Sequence, residues 1–244
     1  MNRLILCEGK TDAILLGYYL MKTDGWEIEK KTPSGLDIKA REQNENATWY
    51  KKGNERLLIC AVGGKDNFDR FFSRYIQRPI LNASNGDPFP RIVLVTDRDD
   101  RDVAEIEKDI AQKIAPFFTD IQNREWVTNC YMDTFGMEKQ VETLLLVIPV
   151  EHQGALENVM LDAISEEPYD KNIVDKCTAF VEGLRPEADR YIATDRLQLK
   201  AKLSTVWAIQ SPEKAFDFID AQIKSVQWEK YETLNQCFGM LKGI

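Results

Sequence analysis

Short apolar runs recur along the first two-thirds of the chain, and each is too short to be anything but a strand. Residues 3–7, 57–62 and 92–95 are nearly continuous in Leu, Ile, Val, Cys and Ala. Strands buried on both faces read this way, because neither face alternates with solvent. Residues 126–132 and 141–148 also read as strands, with Gly136 between them. The segments between recur at helical spacing: Ile14, Leu15, Tyr18 and Tyr19 in 11–22; Phe68, Phe71, Phe72, Tyr75 and Ile76 in 67–77; Val103, Ile106, Ile110 and Ile114 in 102–115. Thr11 or Asp12 suits the start of the first helix. Residues 25–56, broken by Pro33, Gly35 and Gly53, predict loops with short strands and a hairpin at Gly53-Asn54. Residues 82–90 form a linker rich in turn residues.

Alternating strands and helices predict an α/β domain over 1–168, with a mainly parallel, Rossmann-like sheet flanked by helices. Helix returns from Gly154, and after Tyr169 the strand signals stop. Residues 171–184, 195–209, 212–223 and 228–241 predict a helical C-terminal region, 169–244, packed on the sheet domain.

Composition narrows the partners. Of 244 residues 43% are hydrophobic and 30% charged, as expected of a folded soluble chain, and the net charge is −8. That argues against a nonspecific nucleic-acid coat, which depends on excess Lys and Arg. The deficit is local, however. Residues 97–109 hold seven acids against three bases, and 157–190 hold nine against four, so the rest of the chain is near +1. The five cysteines are widely spaced with no CxxC, and His152 is the only histidine. A zinc ribbon is therefore not expected, and the location expected is a reducing cytoplasm. The longest apolar run, 144–150, is far too short to span a membrane, so no membrane association is expected.

The candidate chemistry lies where strands end. Sites in open parallel sheets form at the carboxyl ends of strands. Glu8 follows the first strand and Asp97 and Asp99 the third. If the chain stays extended there, both aspartates project to one side and Arg98 to the other. Carboxylates meeting at one sheet edge repel one another, and a divalent cation removes the conflict. Hard oxygen ligands without His or Cys suit Mg²⁺ or Mn²⁺, and the matching chemistry is phosphoryl transfer or phosphodiester cleavage.

These motifs carry a family resemblance. Cys7-Glu8-Gly9-Lys10-Thr11-Asp12-Ala13 after one strand, Gly63-Gly64 after a second and Asp97-Arg98-Asp99 after a third resemble the TOPRIM domain of topoisomerases, primases and OLD-family nucleases. The resemblance covers residues 3 to 165. It implies that Glu8 is a general acid/base or metal ligand and that Asp97 and Asp99 hold Mg²⁺. Gly154-Ala155-Leu156-Glu157 looks like the GxLE of small stand-alone and OLD-like TOPRIM proteins, which makes Glu157 a further ligand. The chain departs from the larger members. It is too short for the gate domains of a topoisomerase, and no primase polymerase domain or ATPase is recognisable. Gly9-Lys10-Thr11 imitates a Walker A ending, but the required first glycine falls on Leu4.

Each candidate has a plain alternative. Gly63 and Gly64 either form a tight turn or allow close approach of a phosphate. Lys10 and Lys65 either contact phosphates or are solvated. Arg70, Arg74 and Arg78 form a stripe that, with Lys51, Lys52 and Arg56, could steer a phosphate backbone or simply face water. Asp100 and Asp102 read as helix-start acids, and His152 as structural. The expectation is a metal-dependent nuclease or phosphodiesterase acting on DNA or RNA. The alternative is a non-catalytic metal- or nucleic-acid-binding module with a protein partner or a second copy, of the kind a defence system would use. A phospho-acceptor receiver domain would need an acidic pair after strand one, where this chain has Glu8-Gly9.

Overall fold

The structure is a computed structural model that describes residues 1–31, 36, 38, 40, 42–82, 88–115, 117–214 and 217–244. Pro33, Gly35 and part of the 82–90 linker lie outside the described residues. The first half holds β1 (Asn2–Cys7), α1 (Lys10–Asp24), β2 (Glu27–Ile28), β3 (Asn46–Lys52), β4 (Glu55–Ala61), α2 (Phe68–Phe71), α3 (Gln77–Leu81) and β5 (Arg91–Asp97). There follow α4 (Val103–Ile114), β6 (Val127–Met132), β7 (Glu138–Ile148), α5 (Leu156–Ile164), α6 (Pro168–Gly183), α7 (Asp189–Ile192), α8 (Asp195–Gln210), α9 (Ile219–Ser225) and α10 (Glu232–Phe238).

The seven strands form one sheet in the order β2-β3-β4-β1-β5-β7-β6. Its centre, β4-β1-β5-β7, is parallel, as the apolar runs require. Its margins are antiparallel: β2 and β3 extend one side and β6 the other. The expected mainly parallel sheet therefore holds for the centre and not for the edges. The margins are hairpin strands, which need no crossover helix. One hairpin turns at Gly53-Asn54, where Gly53 takes φ 58°, a conformation that costs glycine little.

Alternate residues of each central strand enter two separate cores. Ile5, Ile59, Val93 and Leu146 face α1, α5 and the C-terminal helices. Leu4, Leu58, Leu94 and Leu145 face α4 and the aromatic cluster of Phe68, Phe71 and Phe72. The helix expected over 67–77 starts as a single 3₁₀ turn, passes through a π segment at Phe72–Ile76 and runs on to Leu81. The π register accompanies tight aromatic packing: the Phe72 ring lies 5.7 Å from that of Phe117 and 5.4 Å from that of Phe118. In α1, a Cβ on Gly17 would stand 2.0 Å from the Tyr50 hydroxyl, so glycine makes room there for the Tyr50 ring.

The C-terminal helices belong to the first of these cores. Val174, Leu203, Val206, Trp228 and Phe238 are buried together with residues of β1, β5 and α1. The helix expected from Gly154 begins two residues later, at Leu156. The one expected over 212–223 is a 3₁₀ turn at Pro212–Lys214 followed by α9. That over 228–241 is α10 between two 3₁₀ turns. Among the described residues no helix is long and apolar enough to cross a membrane. Cys7, Cys60, Cys177 and Cys237 are buried and Cys130 is exposed, all as free thiols.

Phe238 reports on this shared core. It is fully buried, with its ring 5.8 Å from that of Tyr19 in α1. Phe238→Ala is expected to cost about 3–5 kcal/mol. In a denaturant titration followed by circular dichroism and tryptophan fluorescence, sheet and helices should unfold in one transition. Two separated transitions would mean that the helices form an independent unit.

Candidate functional site

The parallel strands end at one edge, and Glu8, the first residue past β1, organises it. Its backbone carbonyl accepts hydrogen bonds from the amides of Gly63 and Gly64, at 3.0 and 2.9 Å. Its side-chain Oε1 accepts from Thr96 Oγ1 at 2.5 Å and from the Asp97 amide at 2.9 Å. Glu8 is 1% exposed, and among the described residues Oε2 has no hydrogen-bond donor. Gly63 and Gly64 take φ 86° and 122° to point both amides at one carbonyl. This is the tight-turn reading: those amides are engaged with Glu8.

Asp97, the last residue of β5, is 2% exposed. Its Oδ1 accepts from the Leu156 amide at 2.9 Å, satisfying a free N–H at the start of α5. Its Oδ2 accepts from Arg196 Nη2 at 3.1 Å. Asp12, in the first turn of α1, is 7% exposed, and its Oδ1 has no partner among the described residues. In the sequence Asp12 reads as a helix-start residue within the motif after β1, with no role of its own. The structure makes it the third buried acid of the cleft.

Asp99 goes elsewhere. The chain leaves the extended conformation there, at φ 51°, so the side-by-side projection expected for Asp97 and Asp99 does not form. The Asp99 backbone exchanges hydrogen bonds with Gly154. Its carboxylate pairs with Lys65 on the rim. Glu157, second residue of α5, is buried and faces the cleft, with Lys200 Nζ 3.9 Å from its Oε1.

The cleft has a volume of about 330 Å³, and its walls include Glu8, Asp12, Asp97, Glu157, Arg196 and Lys200. A model of the family described as protein of unknown function (DUF3226) matches residues 2–238. The chain belongs to the DUF3226 family. No curated protein matches the sequence. Among solved structures, the crystal structure of the hypothetical protein PH0156 from Pyrococcus horikoshii OT3 is similar, at 18% identity over 98% of this chain and 99% of that one, with a TM-score of 0.46.

Burial dominates the electrostatics of this DUF3226 cleft. It raises the pKa of Glu8, against the hydrogen bonds of Thr96 and Asp97. It also raises Asp97 well above the usual carboxylate range, helped by the charges of Asp12 and Glu8. Asp12 is pushed up to about 7, first by burial and then by Glu8. A helix N-terminus favours a carboxylate by roughly 0.3–1 kcal/mol, less than one pKa unit, so the α1 dipole cannot offset that burial. Arg196, second residue of α8, is the opposing charge. Burial works against its ionisation, but Asp97, Glu8, Glu157 and Asp99 outweigh it and hold its pKa up. Neither Arg196 nor Lys200 has a local sequence signal. They share a face because they are four residues apart on α8, and tertiary packing brings that face to the cleft.

The donor set is that of a hard divalent cation: carboxylate oxygens, two of them buried without hydrogen-bond partners. The arrangement is not a closed coordination group. Among the described residues no three His, Cys, Asp or Glu side chains converge to hold a metal ion. The other cations are engaged. Lys10 donates to the Gln43 carbonyl, Arg70 pairs with Glu45 at 3.5 Å and Arg74 with Glu42 at 2.9 Å. Lys51, Lys52 and Arg56 face Glu27, Asp24 and Glu29. Arg70 and Arg74 of the expected stripe are thus paired with the acids before β3. His152 is on the surface, bonded to Asp162 and Gln153.

Asp12 gives the site a pH signature. Its folded pKa of about 7 lies above the ordinary aspartate value of 3.8, so the folded chain keeps the proton longer than the unfolded one. Stability from this group is greatest below the unfolded value, falls as pH rises towards 7 and stays lower above it. Asp12→Asn should therefore melt higher than the parent at pH 8, by several degrees at ~2–4 °C per kcal/mol, with the gap closing by pH 4. Thermal denaturation across pH 4–8 checks this. A variant that melts lower at pH 8 would show the carboxylate to be stabilising.

Proposed function

We propose that the cleft is a Mg²⁺- or Mn²⁺-dependent site that cleaves phosphodiester bonds in nucleic acid, on a TOPRIM-like fold. The observation that carries this reading is the buried trio Glu8, Asp12 and Asp97 at the carboxyl edge of the parallel strands, with Glu8 Oε2 and Asp12 Oδ1 lacking hydrogen-bond partners among the described residues. Orphaned buried oxygens cost free energy, and such costs concentrate at working sites. Asp97 and Asp12 would hold the cation, with Glu157 beside them and Asp99 at the rim. The cation, when bound, stabilises charge developing on the phosphate. Glu8 keeps its proton to higher pH than a surface glutamate, which suits it to hold or deliver a proton at Oε2. Arg196, Lys200 and Lys10 lie where a phosphate would enter and would orient it. The nucleic-acid substrate follows from the strand-end motifs that resemble TOPRIM.

The Arg196 contact on Asp97 favours a second reading, in which the guanidinium replaces the cation permanently and the chain is a non-catalytic binding or partner module. A panel of single- and double-stranded DNA and RNA, incubated with Mg²⁺ or Mn²⁺, separates the two. The enzyme reading expects metal-dependent cleavage that Glu8→Gln lowers by about 10²–10⁴-fold. Asp97→Asn should lower it at least as much. Cleavage at the parent rate by both variants would refute the site assignment. No cleavage of any substrate by the parent would favour the module.

A further inference from the structure

We propose that Arg196 is an exchangeable counter-cation: it neutralises the carboxylates in the resting cleft, is displaced when a divalent cation enters, and then presents its guanidinium to an anionic phosphate. The inference rests on the cation-site reading above and adds a coupling between two ligands.

The contacts of Arg196 neutralise charge without satisfying hydrogen bonds. Only one is a hydrogen bond, Nη2 to Asp97 Oδ2 at 3.1 Å. Nη2 stands 3.9 Å from Glu8 Oε2, and Nη1 stands 4.0 Å from Asp99 Oδ1. None of the three is a bidentate fork, the geometry that makes an arginine–carboxylate pair strong. Two carboxylate oxygens beside it, Glu8 Oε2 and Asp12 Oδ1, keep no donor. A buried cluster of carboxylates has to satisfy its lone pairs to recover the desolvation cost; Asp97 does so through Leu156 and Arg196, whereas Glu8 and Asp12 each keep one oxygen without a donor among the described residues.

Arg196 is also free to leave. Its side chain is 49% exposed, whereas those of its main partners Asp97 and Glu8 are 2% exposed. The carboxylates are locked in the core and the cation reaches them from solvent. A divalent ion carries twice the charge of a guanidinium and bonds oxygen at about 2.0–2.2 Å, so it competes for Asp97 and Asp12 against a cation that makes a single hydrogen bond there. The released guanidinium stays tethered to the first turn of α8, one helical turn from Lys200. A fork of N–H donors at the mouth of a cleft suits a phosphate. Cation binding and phosphate binding therefore help each other, and linkage requires the effect to be reciprocal.

Titration of the full-length chain with Mn²⁺ at pH 8, by calorimetry and by the electron paramagnetic resonance of free Mn²⁺, tests the exchange. Arg196→Met removes the competitor and should bind Mn²⁺ about tenfold tighter than the parent, within the usual range of coupling. Inorganic phosphate should tighten Mn²⁺ binding to the parent about fivefold and Arg196→Met clearly less. Arg196→Lys keeps the charge and loses the fork, so its Mn²⁺ affinity should stay near the parent's while the phosphate effect shrinks. This variant decides the matter if Arg196→Met does not fold. Equal Mn²⁺ affinity in parent and Arg196→Met overturns the exchange and leaves the cation site standing. So does an undiminished phosphate effect in either variant. Absence of Mn²⁺ binding in all three proteins overturns the exchange and the cation site together.

Discussion

Three strand ends meet on one residue. The backbone carbonyl of Glu8 holds the turn that follows β4, and its carboxylate holds the end of β5 through Thr96 and Asp97, while Glu8 itself continues β1. An amide–carbonyl pair contributes only about 1 kcal/mol net, but leaving either member buried and unpaired costs about 1–3. Glu8 therefore fixes the sheet edge more by what its loss would orphan than by what its presence adds. Half of its carboxylate does this structural work. The other oxygen, Oε2, is left over, and the site grows from that remainder.

A half-satisfied carboxylate in an apolar edge could not persist without support elsewhere. The support comes from the two cores, whose strand residues are almost wholly excluded from water. The C-terminal helices close the first core, and in closing it they also carry the main neutralising charge. Val206 and Leu203 bury one side of α8 in the core it shares with α5 and α6, and that packing delivers Arg196 and Lys200 to the acids. Packing and electrostatics are thus joined in one helix: the apolar face of α8 determines where its basic face lies.

This joining explains which parts of the molecule were legible in the chain. The central strands were, because burial on both faces forces continuous apolar runs. Glu8 and Asp97 were, because a charged residue directly after such a run has few places to go except the sheet edge. Asp99 lies at the rim, facing Lys65 and Arg196, because the period-two projection holds only for an extended chain and this residue turns to φ 51°. Asp12 carried a signal, an acid four residues after Glu8, but the helix-start reading covered it. Its burial depends on α5 and α8 covering the cleft. Arg196 had none, because its role follows from the packing of residues far from it in sequence. The arginine stripe at Arg70 and Arg74 was visible, whereas its neutralisation by Glu42 and Glu45 was not, because those acids approach only when β3 pairs with β4.

The net charge of −8 takes on a different meaning in three dimensions. Most of the basic residues near the cleft already have acidic or carbonyl partners, Lys65 with Asp99 and Lys10 with Gln43 among them. A phosphate arriving at this edge would meet cations that are committed, beside carboxylates that repel it. A surface of this kind binds an anion weakly unless something first takes over the carboxylates. In the proposed site a divalent cation would do so, and every basic group it released would become available at the place where the anion must sit. On that proposal, the acidity that argues against a nonspecific nucleic-acid coat is the same property that would make anion binding at this edge conditional on the cation.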